Sequence, residues 1–176
     1  ESNPDVLNPF CKRLGLVPGW GFADVFGLDP ELLAMVPQPC VALCLLYPSE
    51  KISATRRGEL REKKASMPEP PEGLFFLQQH DGIGNACGTI AAMHALCNGV
   101  AAGKFELQAG SPLANFMATA KPMSVSERGH ALKAAKDLQE MSDATAAAGE
   151  TRGAGTDDAN NSHFICFVCF AGALYE

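Results

Sequence analysis

The apolar run Cys40–Tyr47, as long as any in the chain, is closed at both ends by proline, Pro39 and Pro48. It falls far short of the roughly 18 residues that a membrane span needs. Its length suits a buried strand, and Val41–Tyr47 is read as a central one. A second apolar stretch, His163–Phe170, reads as another strong strand. Ala171-Gly172 then turns the chain into a returning strand at Ala173–Glu176. Two such strands with helical signals between them, and no regular strand–helix alternation, point to an α+β fold.

The helical signals are local and chemical. Asn3-Pro4-Asp5 offers a cap, a proline for the first turn and an acid at the positive end of the helix dipole. Val6, Phe10 and Leu14 follow at four-residue spacing, and Gly15 is the expected stop. Pro9 should kink or shorten this helix. Asp29-Pro30-Glu31 and Ser111-Pro112 open two more. Asn85 begins an apolar helix to about Leu96. Ser124-Val-Ser-Glu127 is a capping box whose helix should reach about Met141. Residues 49–73, with charges of both signs and three prolines, read as a mobile surface connection. Ser142–Ser162, rich in Ala, Gly, Thr, Asp and Asn, reads as a long functional loop.

Composition bounds the class. The chain has 176 residues, 47% hydrophobic and 19% charged, which excludes global disorder and fits one domain. The formal charge of −6 argues against a nucleic-acid partner and for a locally basic one. Seven cysteines, several inside apolar runs, read as reduced thiols in a cytoplasmic protein, with nuclear access left open. No leader peptide is evident, and an opening Glu1 reads as a cut or incomplete N-terminus.

The chemistry concentrates at Gly84-Asn85-Ala86-Cys87-Gly88-Thr89, which places a thiol at the start of a helix. A helix N-terminus stabilises negative charge, the state in which a thiol attacks. Geometry alone divides evenly between a nucleophile and a small helix-start residue. Among four histidines, His94 reads as packed core and His130 as surface. His80 sits on a turn beside the site. His163, at a strand end beside the long loop, suits a general base. Cys166 and Cys169 lie three apart on a strand and face opposite sides, which opposes zinc or redox pairing.

These stretches resemble the ubiquitin C-terminal hydrolase family of papain-like cysteine proteases. The resemblance runs through Glu1-Ser-Asn-Pro-Asp5, Phe22-Ala-Asp-Val-Phe-Gly-Leu-Asp-Pro-Glu-Leu-Leu33 and Met35-Val-Pro-Gln-Pro39. It continues through Gly84-Asn-Ala-Cys-Gly-Thr-Ile90, Ser126-Glu-Arg128, His163-Phe-Ile165 and Leu174-Tyr-Glu176. It implies a single catalytic domain over residues 1–176, with a central antiparallel sheet flanked by helices. The implied reaction is thiol-dependent cleavage of the bond after ubiquitin's C-terminal glycine, through a thioester, in ubiquitin-dependent protein catabolism. Cys87 matches the nucleophile and His163 the general base. Residues 142–162 match the crossover loop, which limits the leaving group to small adducts or flexible tails. Glu1, Asp5 and Asp24 match acidic contacts to ubiquitin or a ubiquitin-like protein. No cofactor, metal, membrane or nucleic acid is implied, and a monomer is expected.

Two departures follow. The family's oxyanion glutamine stands six residues before the nucleophile, where this chain has Asp81. A two-residue insertion at His80-Asp81-Gly82 assigns Gln79 instead, with Gln78 its alternative in a shifted register. The family's catalytic aspartate follows Tyr-Glu in a Leu-Asp-Gly-Arg motif, and this chain stops at Tyr175-Glu176. The C-terminal part is therefore expected to be missing. A non-catalytic ubiquitin-binding module is the alternative function.

Overall fold

The structure is a computed structural model that describes residues 2–63, 66, 70–83, 86–148 and 162–176. Helix α1 (Pro4–Leu14) begins as its cap chemistry requires, with Asn3 Oδ1 accepting from the Asp5 N–H at 2.9 Å. It continues through Pro9 rather than ending there. Phe10, Cys11 and Leu14 lie beyond the proline and are fully buried, and their burial outweighs the lost backbone bond. Gly15 closes the helix at φ 113°. Helix α2 is a single turn, Pro30–Leu33.

Strand β1 (Ala42–Pro48) pairs antiparallel with β2 (Ser162–Phe170), and β2 pairs antiparallel with β3 (Ala173–Tyr175). The order β1-β2-β3 corrects the reading of residues 41–47 as a central strand: among the described residues β1 is an edge and β2 the centre. Both β1 and β2 pack on α4 (Cys87–Ala101), which runs five residues past its expected end. Ile90–Leu96 are buried all round this helix, as expected of an apolar helix at the middle of a core.

Residues 49–63 correct a second expectation. They form a helix, α3 (Ser49–Lys63), not a loose connection. Its charges obscure any apolar stripe, yet Arg56 lies 3.6 Å from Glu59 one turn on, the spacing at which opposite charges support a helix. No strand forms at residues 74–78.

Helix α5 (Pro112–Ala120) is capped by Ser111, and α6 (Val125–Ala134) by the full Ser124/Glu127 capping box. The expected single helix to Met141 is two: the chain breaks at Ala135 and resumes as α7 (Lys136–Ala148). The proposed crossover segment is corrected at its start, since residues 142–148 are helical. Its residues 149–161 lie outside the described residues. No described helix is long and apolar enough to cross a membrane.

Candidate active site

A cleft of about 350 Å³ opens where the first turn of α4 meets the start of β2. Cys87, His163 and Gln79 all line it, so the three residues expected to carry the chemistry converge despite 84 positions between the outermost two. The contact that joins the two elements is the next residue on each. A Cβ on Gly88 would lie 3.3 Å from the Phe164 ring, so glycine lets β2 approach the nucleophile's helix closely. His163 stands opposite Tyr47 in register, and the two rings meet edge to face at 6.0 Å.

The start of α4 differs from the other capped helices. Asn3, Ser111 and Ser124 each place a side-chain oxygen on a first-turn N–H. Ala86 at the N-cap of α4 has no oxygen to offer. A missing cap costs about 1 kcal/mol. In return, first-turn amides beside Cys87 keep their capacity to meet negative charge.

Burial sorts the remaining thiols. It pushes the Cys11 thiol up to about 12 and raises that of Cys97 as well. Cys166 also lines the cleft, but its hydrogen bond with Cys44, directly across the β1–β2 pair, and then its burial hold it in the thiol form. Cys40 and Cys169 are exposed, and Cys166 is buried, so the two members of the Cys-x-x-Cys pair do face opposite sides. Among the described residues no group of three His, Cys, Asp or Glu is arranged to hold a metal.

Gln79 reaches the cleft from an irregular segment held by neighbouring side chains. Phe75 N–H donates to Asn98 Oδ1 and Phe75 C=O accepts from Asn98 Nδ2, both at 2.8 Å. Leu77 N–H donates to His94 Nε2 at 3.1 Å. Phe76 C=O accepts from Arg128 Nη1 at 3.1 Å, while the guanidinium lies over the Phe75 ring. Gln78 N–H donates to Val125 C=O. Gly129 allows α6 to touch this backbone, since a Cβ there would sit 2.0 Å from the Gln78 oxygen.

The other candidates lie elsewhere. His80 is stacked on His130 at 3.8 Å and bonded to the Ser126 carbonyl. The Asp81 carbonyl accepts from Lys133 Nζ. Asp5 and Asp24 are exposed and do not line the cleft, and Glu1 lies outside the described residues. Sequence reasoning missed Glu176, which lines the cleft and is ion-paired with Arg56 of α3. It placed His94 in the core, correctly, but not on the cleft wall or on the Leu77 amide.

The family model for ubiquitin carboxyl-terminal hydrolase, family 1, matches residues 1–176. The chain belongs to that family. A ubiquitin carboxyl-terminal hydrolase of Aplysia californica is 40% identical over the whole chain, which spans 78% of that relative. Ubiquitin carboxyl-terminal hydrolase 3 of Arabidopsis thaliana is 38% identical, and the chain spans 72% of it. The fold agrees with the crystal structure of Trichinella spiralis UCH37 bound to ubiquitin vinyl methyl ester. The TM-score is 0.57 at 17% identity, over 99% of this chain and 58% of that one. The α+β architecture of antiparallel sheet and flanking helices is thus the ubiquitin carboxyl-terminal hydrolase fold.

Proposed function

We propose that this chain cleaves the bond after the C-terminal glycine of ubiquitin, with Cys87 as nucleophile, His163 as general base and acid, and Gln79 as oxyanion donor. The observation that carries the reading is the meeting of Cys87 and His163 at one cleft beside an uncapped helix start. His163 takes the thiol proton, and the sulfur attacks the glycine carbonyl carbon. The carbonyl oxygen becomes an oxyanion, met by the Cys87 N–H and the Gln79 carboxamide. His163 returns the proton to the leaving amine as the carbon–nitrogen bond breaks. Water, deprotonated by His163, then attacks the thioester and frees the ubiquitin carboxylate and the Cys87 thiol.

The partner is recognised by charge on acidic residues outside the cleft lining. Asp5 and Asp24 are exposed, and the chain's net charge of −6 favours encounter with a basic surface. The test is hydrolysis of a fluorogenic ubiquitin C-terminal amide. Turnover is expected from the protein and is lost in Cys87→Ala and His163→Ala. A folded protein that binds ubiquitin but releases no fluorophore would make it a binding module instead.

A further inference from the structure

We propose that His94 and Asn98 are positioning residues for the oxyanion site, acting through the backbone of Phe75–Leu77 to set where Gln79 stands. The inference rests on the reading of Gln79 as oxyanion donor.

The helix that presents the nucleophile also carries both clamps. Cys87, His94 and Asn98 are spaced by seven and four residues, which puts them on one face of α4. Segment 74–79 belongs to no sheet, so nothing in a strand ladder fixes its height against the helix. His94 and Asn98 do that work from α4, beside the Arg128 and Val125 contacts from α6. Asn98 grips both backbone groups of Phe75, as a neighbouring strand would, and is itself locked by donating to the His94 carbonyl at 2.8 Å. His94 accepts from Leu77 through Nε2 and is wedged edge-on against Phe76, with ring centroids 4.6 Å apart. Asn98 and His94 are both buried, and burial holds the imidazole in the neutral form that can accept.

Leu77 is two residues from Gln79. The helix that carries the attacking sulfur therefore also holds the backbone that delivers the amide. An oxyanion donor must lie about 2.7–3.1 Å from where the oxyanion forms, so small shifts in its position matter. Tying both partners of the reaction to α4 limits the relative motion that would spoil this alignment.

The experiment is a double-mutant cycle on turnover of a ubiquitin C-terminal amide, with kcat and KM separated. His94→Leu removes the acceptor, and His94→Gln retains one. His94→Leu is expected to lower kcat by roughly 10- to 100-fold, with KM and the rate of Cys87 alkylation by iodoacetamide unchanged. His94→Gln restores most of the loss. In a Gln79→Ala background, His94→Leu has almost no further effect, because the residue it positions is gone. Should His94→Leu fail to fold, His94→Met fills the space with a more adaptable side chain and carries the same expectation. Full multiplication of the two losses, an equal loss in His94→Gln, or a change in KM alone overturns the positioning role and leaves Gln79 in place. Unchanged turnover in Gln79→Ala overturns the oxyanion reading, and this inference with it. No turnover by the unmutated protein removes the reaction itself.

Discussion

Two irregular segments are held by the same device with different thoroughness. In the stretch 20–29, Asn8 of α1 donates to the Phe22 carbonyl at 3.0 Å and accepts from the Phe22 N–H at 2.6 Å. In the stretch 74–79, Asn98 of α4 does the same for Phe75. A carboxamide thus replaces a strand partner in both places. The second segment adds His94 and Arg128 and buries Phe75 and Leu77. The first leaves Phe26 69% and Leu28 79% exposed. The buried segment is held in fixed geometry where Gln79 enters the cleft that Cys87 also lines. The exposed one leaves Asp24 at the surface beside apolar side chains, as the proposed contact with a partner would require.

The largest effect expected from breaking this contrast is on the buried clamp. Asn98→Leu leaves the Phe75 N–H and C=O unpaired in the core, a loss of roughly 2–5 kcal/mol measurable by urea unfolding. Next comes pH. His94 falls to about 4 in the folded chain, chiefly through burial, against 6.5 unperturbed. Between these values the unfolded chain binds the extra proton, so stability is full above pH 6.5 and declines as pH falls towards 4. The decline is up to about 3 kcal/mol in all, and His94→Gln should flatten it in urea titrations across that window.

The exposed clamp should matter less. Asn8→Ala is expected to destabilise the chain by about 1 kcal/mol and to raise KM for a ubiquitin substrate while sparing kcat. Smallest is Asp24→Asn, which should raise KM a few-fold at low salt and little at high salt, as steady-state kinetics at two ionic strengths would reveal. A loss of kcat in Asn8→Ala would erase the distinction between the two segments.

How far the sequence foretold this depends on the range of the interaction. Asn3, Ser111 and the Ser124/Glu127 pair act on amides two or three residues away, and each helix start they mark was legible. The strand His163–Phe170 was legible from its apolar run, but its central place in the sheet was not, because pairing with β1 spans more than a hundred residues. Helix α3 was hidden by charge: it has no apolar stripe, and only helix-forming residues and Arg56–Glu59 spacing speak for it. Cys87 at a helix start and His163 at a strand end were legible as candidates, family motifs added Gln79 and matched the roles, and the cleft they share is a product of the fold. His94 and Asn98 could have been noticed as polar residues on the nucleophile's face of an otherwise apolar helix. Their targets, 17 and 23 residues away, leave no local pattern.

The central claim is that one of seven cysteines is the nucleophile for a ubiquitin C-terminus. The most direct test treats the protein with ubiquitin whose C-terminal carboxylate is replaced by a vinyl methyl ester, then maps the adduct by peptide mass spectrometry. A single adduct on Cys87, absent when His163 is replaced by alanine, is the expected result. An adduct on Cys166 or an exposed cysteine, or none on a folded protein, would contradict it.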